Sequence, residues 1–134
     1  MLRPQLLFLV DDDADDQEIF KSALANVNDS HTLVTANNGH DALNELLNGD
    51  RLPDYIFVDL NMPRMNGLQF LKEVKKADLL RHIPVIVFTT SSNPRDRAKA
   101  NEAGAERFIT KPAKFTDLCS ILQSILAHTV SSEQ

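Results

Sequence analysis

The chain predicts an α/β fold in which five parallel strands are covered by helices on both faces. Three observations carry this. Five times along the sequence a short apolar run is followed by a stretch with helical periodicity, the alternation that builds parallel sheets with crossover helices. Three of those runs, LLFLV, YIFV and VIVF, are apolar without interruption, as expected of central strands buried on both faces. At 134 residues the chain is long enough for one well-buried core and too short for two ordinary domains.

The strands are expected over residues 6–10, 32–36, 55–59, 85–89 and 107–110. The first helix carries Ile19, Phe20, Ala23, Leu24 and Val27 on one face. Asp13 stands where an N-cap satisfies the open amides of its first turn, and Asp15 and Asp16 suit the helix dipole. The second helix follows Asn38 and Gly39, turns Ala42, Leu43, Leu46 and Leu47 inward, and stops at Asn48 and Gly49. Gly67 opens a third helix with Leu68, Leu71 and Val74 facing in. A fourth is expected over 94–103, with Pro94 in its first turn and Gly104 past its end. The last carries Phe115, Leu118, Cys119, Leu122, Ile125 and Leu126, and the SSEQ tail, 131–134, is expected to fray. Right-handed crossovers give the flavodoxin-like strand order 2-1-3-4-5, which binds ligands beyond the carboxyl ends of its strands.

Composition narrows the function classes. A hydrophobic fraction of 43% with 25% charged residues is that of an ordinary globular protein. No apolar run approaches the roughly 20 residues a membrane helix needs, and no signal-peptide pattern is present, so the cytoplasm is the expected compartment and no membrane partner is expected. Cys119, the single cysteine, is expected in the core rather than in a disulfide or metal site. A formal charge of −5 with no basic stripe argues against nucleic acid as a direct partner. Much of the negative charge is gathered in 11–16, beyond what solubility requires.

Residues at or just past the strand ends are Asp11 and Asp12 after the first, Asp59 at the third, Thr89 at the fourth and Lys111 after the fifth. Singly, each has an ordinary structural explanation: a cap, a turn residue, a β-branched strand residue, a surface charge. Their placement on one rim is what points to chemistry. Three carboxylates within about 4 to 5 Å repel one another by several kcal/mol per pair, so they must bind a cation, hold protons or be kept apart. A hard divalent ion such as Mg²⁺, which takes oxygen ligands and is often shared with phosphate, is the simplest solution. Asp59 then acts as a nucleophile towards a phosphoryl group, Lys111 supplies a second cation, and the Thr89 hydroxyl can donate to the phosphoryl oxygens.

The segments LLFLVDDD, YIFVDLNMPRMNG, IPVIVFTTS and AGAERFITKP resemble the receiver domains of two-component response regulators over nearly the full chain, 1–130. The VDLNMPRMNG segment is the one specific by itself. The resemblance implies that Asp59 is the phosphoacceptor and that Asp11 and Asp12 form an acidic pair, with Asp12 a direct metal ligand. It implies further that the backbone carbonyl of Asn61 joins the Mg²⁺ shell, that Thr89 and Phe108 are the switch pair, and that Lys111 pairs with phosphate. Pro112 follows across a bond often cis in the family. Asp13 is a cap rather than a ligand. Such a protein is a phosphoacceptor switch rather than an enzyme, catalysing only its own phosphoryl transfer and dephosphorylation. Its donor is a histidine kinase or histidine phosphotransfer protein docked near the first helix. Its output is a protein target met by the fourth helix, fifth strand and fifth helix, with no output domain expected in the twenty or so residues after Lys111. The DLNMP and TTS wording resembles the stand-alone subclass that often serves phytochrome-type kinases.

Two positions depart from the family's usual pattern. Phe108 replaces a frequent tyrosine and, lacking a hydroxyl, is expected to be buried in either state. Thr90 stands where alanine is common and with Asn61 flanks the path of water to an acyl phosphate. Ile121 leaves two explanations open, a homodimer surface or a broad core face. Among rivals, a haloacid dehalogenase-type phosphatase lacks a second acidic pair after the lysine, and a flavodoxin would need a hydroxyl- and glycine-rich phosphate loop where Asp11, Asp12 and Asp13 stand. A degenerate receiver serving only as a docking module is disfavoured because every required residue is present.

Overall fold

The computed structural model describes residues 4–132. It alternates β1 (Leu6–Val10), α1 (Ala14–Val27), β2 (Thr32–Ala36), α2 (Gly39–Asn48), β3 (Tyr55–Val58), α3 (Gly67–Lys76), β4 (Val85–Thr89), α4 (Pro94–Glu102), β5 (Arg107–Thr110) and α5 (Phe115–Ser132). The five strands form one sheet in the order β2-β1-β3-β4-β5, every pairing parallel. The expected strand order therefore holds.

Because strand side chains alternate between faces, the central strands feed two separate cores. Phe8, Val10, Ile56, Val58, Val85 and Val87 pack against α2, α3 and α4 through Leu46, Phe70, Leu71, Val74 and Ala100. Leu7, Leu9, Phe57, Ile86 and Phe88 pack against α1 and α5 through Phe20, Leu24, Leu118, Leu122 and Leu126. Phe20 meets Phe57 and Phe88 edge-on, with ring centroids 5.0 and 5.7 Å apart. Each such side chain contributes about 1.5–3 kcal/mol by leaving water, so the two cores hold the strand ends rigidly beneath the rim.

Side-chain caps start the first three helices, the Asp13 cap as expected from sequence. Asp13 accepts from the amides of Asp15 and Asp16, Asn38 from that of Asp41, and Asn66 forms a reciprocal capping box with Gln69. At the end of α4, Gly104 adopts φ +102, a conformation open to glycine.

Several side chains depart from expectation. Ile19, Leu47 and Phe115 are 48%, 48% and 43% exposed, because each lies beside rather than on the stripe that meets the sheet. Phe70, not assigned to the inner face of α3, is fully buried there, and Leu68 is only half-buried. Cys119 is half-buried against the α1–α5 core rather than enclosed within it. Ile121 also packs on that core, consistent with a broad core face. β3 ends at Val58 and α4 at Glu102, each one residue short of expectation, a common variation at element ends. α5 runs to Ser132, into the stretch expected to fray, while 133–134 lie outside the described residues. The bond before Pro112 is trans, as are all described peptide bonds, the form favoured by about 0.5–1 kcal/mol for X–Pro.

Candidate functional site

β1 and β3 are neighbours, but the chain leaves β1 towards β2 on one side and leaves β3 towards β4 on the other. A crevice opens at such a reversal, beyond the carboxyl ends of the strands. The register aligns Val10 with Val58 and Val58 with Val87, and the Asp59 amide donates to the Val10 carbonyl at 3.1 Å. Asp11 and Asp59 are therefore brought side by side by the ladder itself. Asp11 is 1% exposed and Asp59 7% exposed, whereas Asp12 reaches solvent. Carboxylate oxygens of Asp11, Asp12 and Asp59 all lie within 4.8 Å of one another.

Lys111 enters from the end of β5, its amide donating to the Thr89 carbonyl at 2.6 Å. Its ammonium donates to Asp11 at 2.8 Å, Asp16 at 2.7 Å and Asp59 at 3.0 Å. The Phe88 ring lies 5.7 Å away. Burial alone pushes the lysine pKa down, but the hydrogen bonds to Asp11 and Asp16 outweigh it and hold the group well above its ordinary value. For Asp11 burial wins: its carboxyl is raised above the usual range despite the partial offset from Lys111. Three carboxylates, Asp11, Asp16 and Asp59, share one ammonium, and Asp12 adds a fourth negative charge beside them. The all-oxygen donor set and surplus negative charge fit a hard divalent cation.

The loop after Asp59 is built tightly. The Asn61 amide donates to Asp59 Oδ1 at 3.2 Å, and the Gly67 amide to the Leu60 carbonyl at 3.1 Å. A Cβ on Gly67 would lie 2.2 Å from the Asp59 carbonyl oxygen, so α3 can press against the Asp59 backbone only with glycine there. Within this loop Arg64 holds φ 65, a left-handed conformation unusual for its type.

The structure thus gathers Asp11, Asp12, Asp59 and Lys111. Thr89 is fully buried at the end of β4, its hydroxyl accepting from the Ser91 amide at 3.4 Å. Asn61 and Thr90 are exposed at the rim. Phe108 is half-buried rather than enclosed. The Arg97 guanidinium covers its ring at 4.8 Å, giving the aromatic face a favourable partner without full burial. Sequence reasoning assigned Asp16 to the helix dipole and missed its ion pair with Lys111. Its position one turn along from the acidic pair, on a helix starting at the rim, was the available signal.

A family model described as "Response regulator receiver domain" matches residues 7–123. The chain belongs to this receiver family of two-component signalling. Response regulator Rcp1 of Synechocystis sp. is 31% identical over 128 residues, covering 91% of this chain and 86% of Rcp1. Sensor histidine kinase CheAY of Helicobacter pylori is 36% identical over 107 residues, 80% of this chain and 13% of the kinase. The chain therefore spans nearly all of one relative and a small part of another. Among solved structures, the phosphorylated cyanobacterial phytochrome response regulator RcpA superposes with TM-score 0.83 at 34% identity, covering 92% of this chain and 91% of that one. The Mn²⁺-bound form of Rcp1 gives 0.79 at 31% identity, covering 91% of each chain. Among the described residues no helix is long and apolar enough to cross a membrane.

Proposed function

We propose that this receiver accepts a phosphoryl group on Asp59 from a phosphohistidine of a kinase or phosphotransfer protein. The observation that carries the proposal is the convergence of Asp59 with Asp11, Asp12 and Lys111 at the strand reversal. An Asp59 carboxylate oxygen attacks phosphorus, the P–N bond breaks with its electron pair left on the ring nitrogen, and the imidazole, protonated on its other nitrogen beforehand, leaves neutral. Asp11, Asp12 and Asp59, with the Asn61 backbone carbonyl, would hold Mg²⁺, which when bound neutralises charge on the phosphoryl oxygens. The Mn²⁺-bound Rcp1 neighbour supports a divalent ion at this rim. Lys111 offers its ammonium to the phosphoryl group, and the buried Thr89 hydroxyl turns towards it as donor.

Phosphorylation adds about 1.5 to 2 negative charges at the rim. Drawing Thr89 inwards frees space that Phe108 enters, so the Arg97–Phe108 contact is the pair expected to break. That contact lines a groove of about 590 Å³ between α4 and β5, and the α4–β5–α5 face is accordingly the surface whose affinity for a protein target changes. The likeness to the phytochrome response regulator RcpA favours a phytochrome-type kinase as donor. Incubation with acetyl phosphate and Mg²⁺ tests the central claim. Wild type gains one acid-stable, base-labile phosphoryl group by mass and Asp59→Asn gains none; equal labelling of both moves the acceptor elsewhere.

A further inference from the structure

Lys111 spends its three N–H donors on three carboxylates, and these are not equivalent. Asp59 is the proposed phosphoacceptor, and Asp11 belongs to the group able to hold a metal. Both would have their oxygens contested once a cation and a phosphoryl group arrive. Asp16 belongs to neither, makes the shortest of the three contacts at 2.7 Å, and lies in the first turn of α1. We propose that Asp16 is a positioning residue for phosphoryl transfer, the anchor that keeps the Lys111 ammonium over Asp59 when its other two partners are drawn away. This rests on the phosphoacceptor role of Asp59.

The first turn of α1 is built to hold such an anchor. The Asp16 amide donates to the Asp13 cap at 3.2 Å, which fixes its backbone. The next residue, Gln17, donates through its side chain to the Asp11 carbonyl at 2.6 Å and to Asn37 at 2.9 Å, which fixes the turn against β1 and the loop after β2. Lysine is a point charge on a flexible four-carbon stem, so its direction is set by its acceptors. The Phe88 ring, 5.7 Å from the ammonium, gives attraction with little directionality. With Asp11 and Asp59 occupied, Asp16 is the described carboxylate left to aim the lysine.

Two variants separate geometry from charge. Asp16→Asn keeps an acceptor oxygen and removes the charge; Asp16→Ala removes both. The first readout is hydrogen exchange of the Lys111 ammonium by ¹H–¹⁵N NMR, without metal or phosphate. Exchange should accelerate about tenfold in Asp16→Ala and stay near wild type in Asp16→Asn, as for loss or retention of a charge-assisted hydrogen bond. The second is beryllofluoride affinity in Mg²⁺, expected to fall about tenfold in Asp16→Ala, with Mg²⁺ affinity itself within about twofold of wild type. Unchanged exchange in Asp16→Ala, or beryllofluoride bound as well or better, overturns the proposal. Parallel loss of Mg²⁺ and beryllofluoride binding also overturns it, by showing a general collapse of the rim. Wild-type protein that retains the slow Lys111 signal yet binds no beryllofluoride overturns the phosphoacceptor role instead, and leaves the anchoring of Lys111 standing.

Discussion

The two ends of the sheet both bury polar groups, and they use them differently. At the amino-terminal end the Gln5 amide donates to His31 Nδ1 at 2.9 Å, the Leu6 amide donates to Asp54 at 2.8 Å, and Arg51 lies 3.8 Å from the same carboxylate. One acid faces one base, and the His31 and Asp54 side chains each accept from a backbone amide at the start of β1. At the carboxyl end three carboxylates share Lys111 with Asp12 close by, and burial raises the pKa of Asp11. Polar groups that satisfy the backbone stabilise the fold. Polar groups left with surplus charge are held there by the fold, in an arrangement that fits a neutralising cation.

The largest expected effect tests whether the carboxyl end depends on its backbone packing. Gly67→Ala forces α3 off the Asp59 carbonyl and should cost about 3 kcal/mol in urea denaturation, with loss of phosphoryl labelling. A stable, fully labelled variant would mean that this close approach is dispensable. Next comes the surplus charge. Mg²⁺ at a hundredfold excess over its Kd should stabilise the wild type by about 2.7 kcal/mol. Asp12→Asn, altering an exposed carboxylate of the trio, should lose most of that gain while unfolding like wild type without metal. Equal stabilisation of both proteins would place the ion elsewhere.

The amino-terminal end predicts a smaller, pH-dependent effect. Burial holds the His31 pKa below its ordinary 6.5, with Asp54 partly opposing. Protons therefore bind the unfolded chain more readily, and this contribution to stability is full above about pH 6.5 and is lost as pH falls towards the folded pKa. Protonation would also turn Nδ1 from acceptor into donor against the Gln5 amide. Unfolding midpoints at pH 7.5 and 5.5 should differ more for wild type than for His31→Asn, which keeps an acceptor without titrating. Identical differences would remove His31 from the account. The smallest effect is at the rim loop, where Arg64→Asn should gain about 0.5 kcal/mol, since Asn tolerates the left-handed conformation better.

Much of this was legible in the sequence because it is local or periodic. Uninterrupted apolar runs marked β1, β3 and β4, and Asp13, Asn38 and Pro94 marked helix starts. Asp11, Asp12, Asp59 and Lys111 could be placed on one rim because in a parallel sheet every strand's carboxyl end faces the same way. Helix faces were harder. Ile19, Leu47 and Phe115 match an apolar stripe by spacing, yet the angle at which each helix meets the sheet leaves them outside, and Phe70 is drawn in. Likewise, the missing hydroxyl of Phe108 says nothing of Arg97, eleven residues away, which covers its ring.

By itself the sequence determined the five parallel strands and the placement of Asp11, Asp12, Asp59 and Lys111 on one rim, since each follows from alternation or from position at a strand end. Only the tertiary structure decided which carboxylates the lysine holds. Asp16 lies 95 residues from Lys111 and was explained locally by the helix dipole. Its partnership exists because α1, packed on one face of the sheet, and β5, at the sheet's edge, meet at the same rim, and the strength of an ion pair depends on that distance, which residue spacing along the chain does not encode.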